Sequence, residues 1–237
     1  MSEWKAKRFW KQADCVECDG GWQVQLDGRP VKTPAKAPLV LPSESLARAI
    51  AAEWDAQDEN ILPLTMPFTR SANAAIDRVV PQQAEVTEML AAYGETDLLC
   101  YRAEQPVELI QRQAAAWDPL LDWAPESFGA RLNIHNGVIF GAQPEDAVAL
   151  LGAELSKLDA FQLTAIHDLI AMSGSLVLGL AIIHGRIDSS DAWELSRLDE
   201  EWQIEQWGRD EEADELAAKK REEFMQAERL FQLLTPQ

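Results

Sequence analysis

Cysteine is scarce in this sequence: Cys15, Cys18 and Cys100 are an odd number and cannot form a fully paired disulfide framework. Basic side chains are scarce as well. There are 21 Lys and Arg against 40 Asp and Glu, and the net charge of -19 argues against nucleic acid as a partner, because a phosphate backbone would be repelled. Neither a Gly-x-x-x-x-Gly-Lys loop nor a Gly-x-Gly-x-x-Gly fingerprint is present, so no nucleotide is expected to bind, ATP included. The long uncharged run at 169–183 falls short of the roughly twenty residues of a membrane span. It reads as a buried helix, and the protein as not membrane-embedded. No hydrophobic signal or Arg-rich presequence opens the chain, which predicts a cytoplasmic location. Internal repeats, low-complexity tracts and Gly/Ser linkers are also missing.

What is present is enough apolar material for a real core. The chain has 237 residues of which 47% are apolar, a length that fits one large domain or two small ones. Nine tryptophans against two tyrosines is the oddest feature of the composition. Tryptophan supplies a large apolar area with one donor to satisfy, which suits both packing between elements and protein interfaces.

The strand signals lie at the beginning. Residues 22–26 alternate, Asp27-Gly28 is a hairpin dipeptide, and residues 29–33 follow directly. Asp19-Gly20-Gly21 turns an earlier strand, about 9–17, into this one, and residues 38–41 add a short edge strand. Ser43 is an N-cap, and Leu46, Ala49, Ile50 and Trp54 recur at helical spacing through residue 57, giving a helix suited to cover the sheet. A second helix is expected over 66–79. Beyond it the pattern is helical over 81–93, 105–128, 144–158, 160–184, 190–207 and 210–234, with a short extended pair near Asn136-Gly137. The fold class is therefore α+β, with an N-terminal domain at 1–80 made of a small antiparallel sheet and its covering helix. A larger all-helical bundle domain occupies 81–237, centred on 160–184. Ser175 and Gly179, four apart, let a neighbouring helix approach closely.

No catalytic or metal-binding pattern in the sequence is complete. Cys15-Val-Glu-Cys18 is half a zinc site without a second pair, and His135, His167 and His184 do not follow at ligand spacing, so no metal is expected. Ser173-Gly-Ser175 lacks the nucleophile elbow of a hydrolase. The carboxylates Asp199, Glu200, Glu201 and Glu205 have no complementary His, Lys or Arg placed by sequence to complete an active site, and no cofactor is implied.

The most informative stretch is 191–210. Read as one helix of about five turns, it places Leu195, Leu198 and Trp202 on one face with Asp199 and Gln206, and Trp193, Ile204 and Trp207 nearly opposite. Ser190 is the expected N-cap and Gly208 the stop. Such a helix is either covered from two directions or covered on one side and offered to a partner on the other. An unpaired Asp199 between Leu195 and Trp202 would be costly, so a buried partner is expected from Arg70, Arg78 or Arg112.

Five blocks, in order, resemble a known family: Leu26-Asp-Gly-Arg-Pro-Val-Lys-Thr-Pro34, Glu53-Trp-Asp-Ala-Gln57, Thr96-Asp-Leu-Leu-Cys-Tyr-Arg102, Trp117-Asp-Pro-Leu-Leu-Asp-Trp123 and Leu198-Asp-Glu-Glu-Trp-Gln-Ile-Glu-Gln-Trp-Gly208. The family is that of the ATP synthase assembly chaperones that bind the free α subunit of the F-type ATPase catalytic head. The resemblance implies a non-catalytic chaperone that covers the unassembled α subunit until the β subunit replaces it. Eukaryotic members are mitochondrial, and this chain resembles a bacterial, cytoplasmic relative. By block matching the candidate region is 199–207, with partner binding expected on the flank of Glu201 and Glu205, and with Trp207 and Trp193 on the alternative binding face. Structural roles are expected for Asp199, Trp202, Gln206, Trp54 and Arg29. An acidic interaction module for some other partner is the competing reading.

Overall fold

A computed structural model describes residues 7–235. The chain divides into two units, one running to Gln83 and taking in Ala160–Thr164 and the stretch from Arg229, the other made of Ala84–Asp159 and Ala165–Glu228.

In the first unit, β1 (Ala13–Cys18) and β2 (Gly21–Leu26) pair antiparallel over six residues. Asp27 and Gly28 both have positive φ, 48° and 78°, the backbone that lets a two-residue turn follow the twist of a hairpin. β3 (Arg29–Pro30) then pairs with the Leu26 end of β2, and β4 (Val40–Leu41) with its Trp22 end. Two short strands therefore share one edge of β2. The expected strand over 29–33 is regular only over Arg29–Pro30; beyond it the Val31 N–H still reaches the Val24 carbonyl at 2.9 Å, and Lys32 forms an isolated bridge with Pro38. At Gly21 a side chain is excluded, because a Cβ there would lie 2.4 Å from the Leu41 carbonyl oxygen.

α1 (Glu44–Asp55) starts at Ser43, whose hydroxyl accepts the Leu46 N–H at 3.2 Å. Its buried face of Leu46, Ala47, Ile50 and Ala51 packs on β1, β2 and β4. Each fully buried Leu or Ile of this kind contributes about 1.5–3 kcal/mol. The next helix, α2 (Pro67–Ala74), widens into a π-helical turn over Ala75–Val79. Its first turn is capped from α1. Glu53 accepts from the Phe68 N–H, the Thr69 N–H and the Thr69 hydroxyl at 2.7, 2.8 and 2.6 Å. Burial raises the Glu53 carboxyl above its ordinary range, and these three donors oppose the rise.

The second unit is mainly helical. It contains α3 (Gln83–Ala91) from Ala84 onward, β5 (Tyr101–Arg102), α4 (Val107–Phe128), β6 (His135–Asn136), α5 (Glu145–Leu155) and most of α6 (Ala160–Ser173). It continues through α7 (Leu176–Ile183), α8 (Ser189–Ser196), α9 (Leu198–Trp207) and α10 (Glu211–Leu234) up to Glu228. α7 is its centre: every residue from Leu176 to Ile182 is buried, and α4, α5 and α8 pack around it. The extended pair near Asn136-Gly137 turns out to be a parallel bridge between β6 and β5.

Two expected helices are each two helices in the structure. The stretch 160–184 breaks at Gly174, where φ is 70°, and restarts with Ser175 as N-cap, its hydroxyl accepting the Leu178 N–H at 3.0 Å. The cause is a buried carboxylate. Asp97 accepts from the Ser175 hydroxyl at 2.7 Å, the Val177 N–H at 3.0 Å and the Leu99 N–H at 3.0 Å, so one side chain satisfies orphan donors at two helical starts. The second correction concerns 190–207, which breaks at Arg197. There the Ser196 hydroxyl bonds back to the Trp193 carbonyl at 2.8 Å, and the Arg197 N–H reaches Glu194 in a tightened last turn. The N-cap of α8 is Asp188 rather than Ser190, accepting the Asp191 N–H at 2.8 Å.

Candidate partner-binding site

The break at Arg197 leaves the end of α8 with carbonyls to satisfy, and α4 supplies the answer. The Trp117 indole N–H donates to the Leu195 carbonyl at 3.0 Å. One turn earlier, the buried amide of Gln113 accepts the Ala103 N–H at 2.8 Å and donates to Asp199 at 2.7 Å. Asp199 lies in the first turn of α9, where the helix dipole also favours a negative charge. Its partner is thus an amide, not the expected arginine at 70, 78 or 112. Asp199 is half-buried rather than enclosed, which is why a neutral donor is enough. Beneath this joint the buried Arg102 donates to the Leu99 carbonyl at 3.1 Å and to Asp118 at 2.8 Å, with its guanidinium 5.2 Å from the Trp117 ring centre. Sequence reasoning placed Asp97, Arg102 and Trp117 in family blocks without assigning them a role, and passed over Gln113. Asp97 carried a local signal, an Asp directly ahead of the apolar pair Leu98-Leu99, in position to cap the N–H two residues on.

The outer side of α9 carries the proposed contact residues. Glu205 is exposed and both its oxygens accept from Arg112, at 2.9 and 2.8 Å. Glu201, one turn back, is half-buried, with Oε1 3.8 Å from Arg197. These four side chains and Trp193 line an open cleft of about 530 Å³. Trp207 closes the helix with 80% of its surface exposed. Gly208, at φ 93°, stops the helix where the sequence places the stop.

Trp193 does not sit on a surface face. It is 6% exposed, with its ring centre 5.5 Å from that of Phe224, and the break at Arg197 is what separates its direction from that of Ile204 and Trp207. Trp202 is half-buried and Gln206 exposed, so neither is enclosed. In the first unit, Trp54 stands edge-on to Trp10 with ring centres 5.2 Å apart, and Arg29 is exposed on β3, opposite Leu26.

This face carries ion-paired carboxylates and an exposed indole. The two carboxyls whose pKa values are raised, the buried Asp97 to about 6 and the half-buried Glu53, are occupied as helix caps. Among the described residues no group of His, Cys, Asp and Glu is placed to hold a metal ion. Cys15 and Cys18 are half-buried and Cys100 buried, and burial pushes the Cys15 and Cys100 thiols up, away from reactivity. No helix among the described residues is long and apolar enough to cross a membrane.

Comparison with known proteins gives a consistent result. The family model described as ATP12 chaperone protein matches residues 7–125. The mitochondrial protein atp12 of Schizosaccharomyces pombe is 29% identical over 223 residues, covering 89% of this chain and 76% of that protein. The crystal structure of Atp12 from Paracoccus denitrificans shares 52% identity at a TM-score of 0.95, over 98% of this chain and all 100% of that one. A protein of Agrobacterium tumefaciens shares 41% identity at a TM-score of 0.92, over 97% of this chain and 86% of that one. With the match running through the hairpin, α1 and the Trp117 block of α4, the chain belongs to the ATP12 chaperone protein family.

Proposed function

We propose that this protein is a non-catalytic assembly chaperone of F-type ATP synthase. It binds the unassembled α subunit in the bacterial cytoplasm and prevents its aggregation until the β subunit takes its place. Family membership carries the chaperone part of this reading. A client surface that belongs to an obligate subunit interface is larger and more apolar than ordinary surface, and aggregates when bare. A chaperone must cover that surface and still let go. The outer side of α9 suits both needs, with Trp207 as an apolar anchor and Glu201 and Glu205 as charge selectors whose present partners, Arg197 and Arg112, are exchangeable. Release then follows from competition by the tighter final partner, without nucleotide hydrolysis.

The test is co-expression with the isolated α subunit. Soluble α subunit that co-purifies with this chain supports the reading. Insoluble α subunit, with a different protein captured from the native cell, favours instead an acidic interaction module for that other partner. Calorimetry with ATP checks the absence of a nucleotide site, and micromolar binding would overturn it.

A further inference from the structure

We propose that the loop between β6 and α5 is a second, apolar anchor for the client, an inference that rests on the chaperone reading above. From Leu132 to Gln143 the chain carries no Asp, Glu, Lys or Arg, in a protein of net charge -19. The tip sets three consecutive apolar side chains in solvent: Val138 is 96% exposed, Ile139 82% and Phe140 62%. A run of this kind lowers solubility unless a partner covers it.

The neck of the loop is fixed. The Asn133 N–H donates to the Gln143 side-chain oxygen at 2.7 Å, and the Gln143 amide donates back to the Asn133 carbonyl at 2.9 Å. Below the tip, β6 pairs with β5, and the Gly137 N–H reaches the Arg102 carbonyl at 2.8 Å. Gly141 lies against the His135 ring so closely that a Cβ would fall 2.2 Å from Nδ1, so the returning strand of the loop has room only for glycine. The ordering cost of presenting the tip is therefore met before any partner arrives.

The size and charge of the tip select its occupant. Three such side chains offer on the order of a few hundred Å², well short of the roughly 800 Å² per partner of a standard interface. A second copy of this chain is not held by that area alone. An anionic lipid surface is disfavoured by the protein's own negative charge. What fits is an apolar strip on a client gripped elsewhere as well, one that the assembled ring later buries.

The full chain is co-expressed with the α subunit, as the parent and as the combined variant Val138→Ser, Ile139→Ser, Phe140→Ser. In a parallel arm, a photo-cross-linking side chain replaces Val138 alone. The expected result is an unchanged Tm for the triple variant, roughly tenfold less soluble α subunit, as loss of one apolar anchor predicts, and a cross-link from position 138 to the α subunit. Equal protection by parent and variant, or no cross-link, overturns the loop inference alone. It is likewise overturned if the variant loses only self-association on sedimentation, or only binding to phosphatidylglycerol vesicles. If the parent itself leaves the α subunit insoluble, the chaperone reading fails and the assigned occupant with it. A triple variant that does not fold leaves the decision to the cross-link.

Discussion

The hydroxyl of Ser175 donates to the carboxylate of Asp97 at 2.7 Å across a sequence separation of 78 residues. Asp97 is fully buried, and desolvation raises its pKa from 3.8 to about 6, against the lowering effect of the Val177, Ser175 and Leu99 donors. A carboxyl whose folded pKa exceeds its unfolded one adds stability that is full below pH 3.8 and lost as pH rises through 6. The span from 3.8 to about 6 corresponds to roughly 3 kcal/mol. Asp97→Asn removes this titration and turns an amide N–H₂ toward donors that need an acceptor. The stability advantage of the parent over the variant should therefore shrink between pH 4 and pH 7. Urea midpoints measured across that range would sink the account if the difference stayed flat.

Gly179 faces Ile170 across the junction of α6 and α7, and a Cβ at 179 would lie 2.5 Å from Cγ1 of Ile170. Overpacking of this sort costs about 1–3 kcal/mol. Gly179→Ala should lower the thermal midpoint despite the better helix propensity of alanine. A midpoint equal to or above the parent's would show that the two helices yield freely.

Two tryptophans from one stretch of sequence should behave as opposites. Trp193→Ala empties a core site beside Phe224 and should cost roughly 3–5 kcal/mol. Trp207→Ala removes an exposed indole and should change stability by about 0.5 kcal/mol or less, yet reduce the yield of soluble α subunit. Unaltered protection by the Trp207 variant would remove that residue from the client contact.

Glu201→Gln combined with Glu205→Gln leaves both side chains in place without charge. Exposed pairs such as Glu205 with Arg112 contribute about 0–1 kcal/mol, so the fold should tolerate the change while client protection falls. Asp199→Ala, in contrast, strips the buried Gln113 amide of its acceptor and should cost about 1–3 kcal/mol. A double variant that keeps both its Tm and full protection would move the client site off α9.

The local chemistry of the sheet was readable: Asp27-Gly28 fixes a turn by its own backbone, and Ser43 caps α1 from three residues away. The helix breaks were not, because helical periodicity runs straight through Gly174 and Arg197. At Gly174 the cause lies in Asp97, far upstream, and at Arg197 in a serine whose hydroxyl turns back on its own helix. That second break also explains why Trp193 does not share a face with Ile204 and Trp207, as one continuous helix would require, while Glu201 and Glu205 lie one turn apart on α9. Three of the five family blocks, at 53–57, 96–102 and 117–123, supply interior joints. Glu53 caps α2, Asp97 caps α7, Arg102 meets Asp118, and Trp117 reaches Leu195. Residues that close buried polar networks tolerate few substitutes, so they mark a family more plainly than the residues that meet a partner.

The first unit also sets an order of events during synthesis. The Ser43 hydroxyl donates to the Leu233 carbonyl at 2.6 Å across 190 residues, and Leu230 and Leu234 are buried in the same unit. The hairpin and α1 emerge from the ribosome early and meet there the only partners available, one another. At about 5–20 residues per second, roughly ten to forty seconds pass before the closing turn of α10 is made. Through that interval the nascent chain carries an unfinished apolar edge, so a member of a chaperone family is itself open to premature contacts while it is being made.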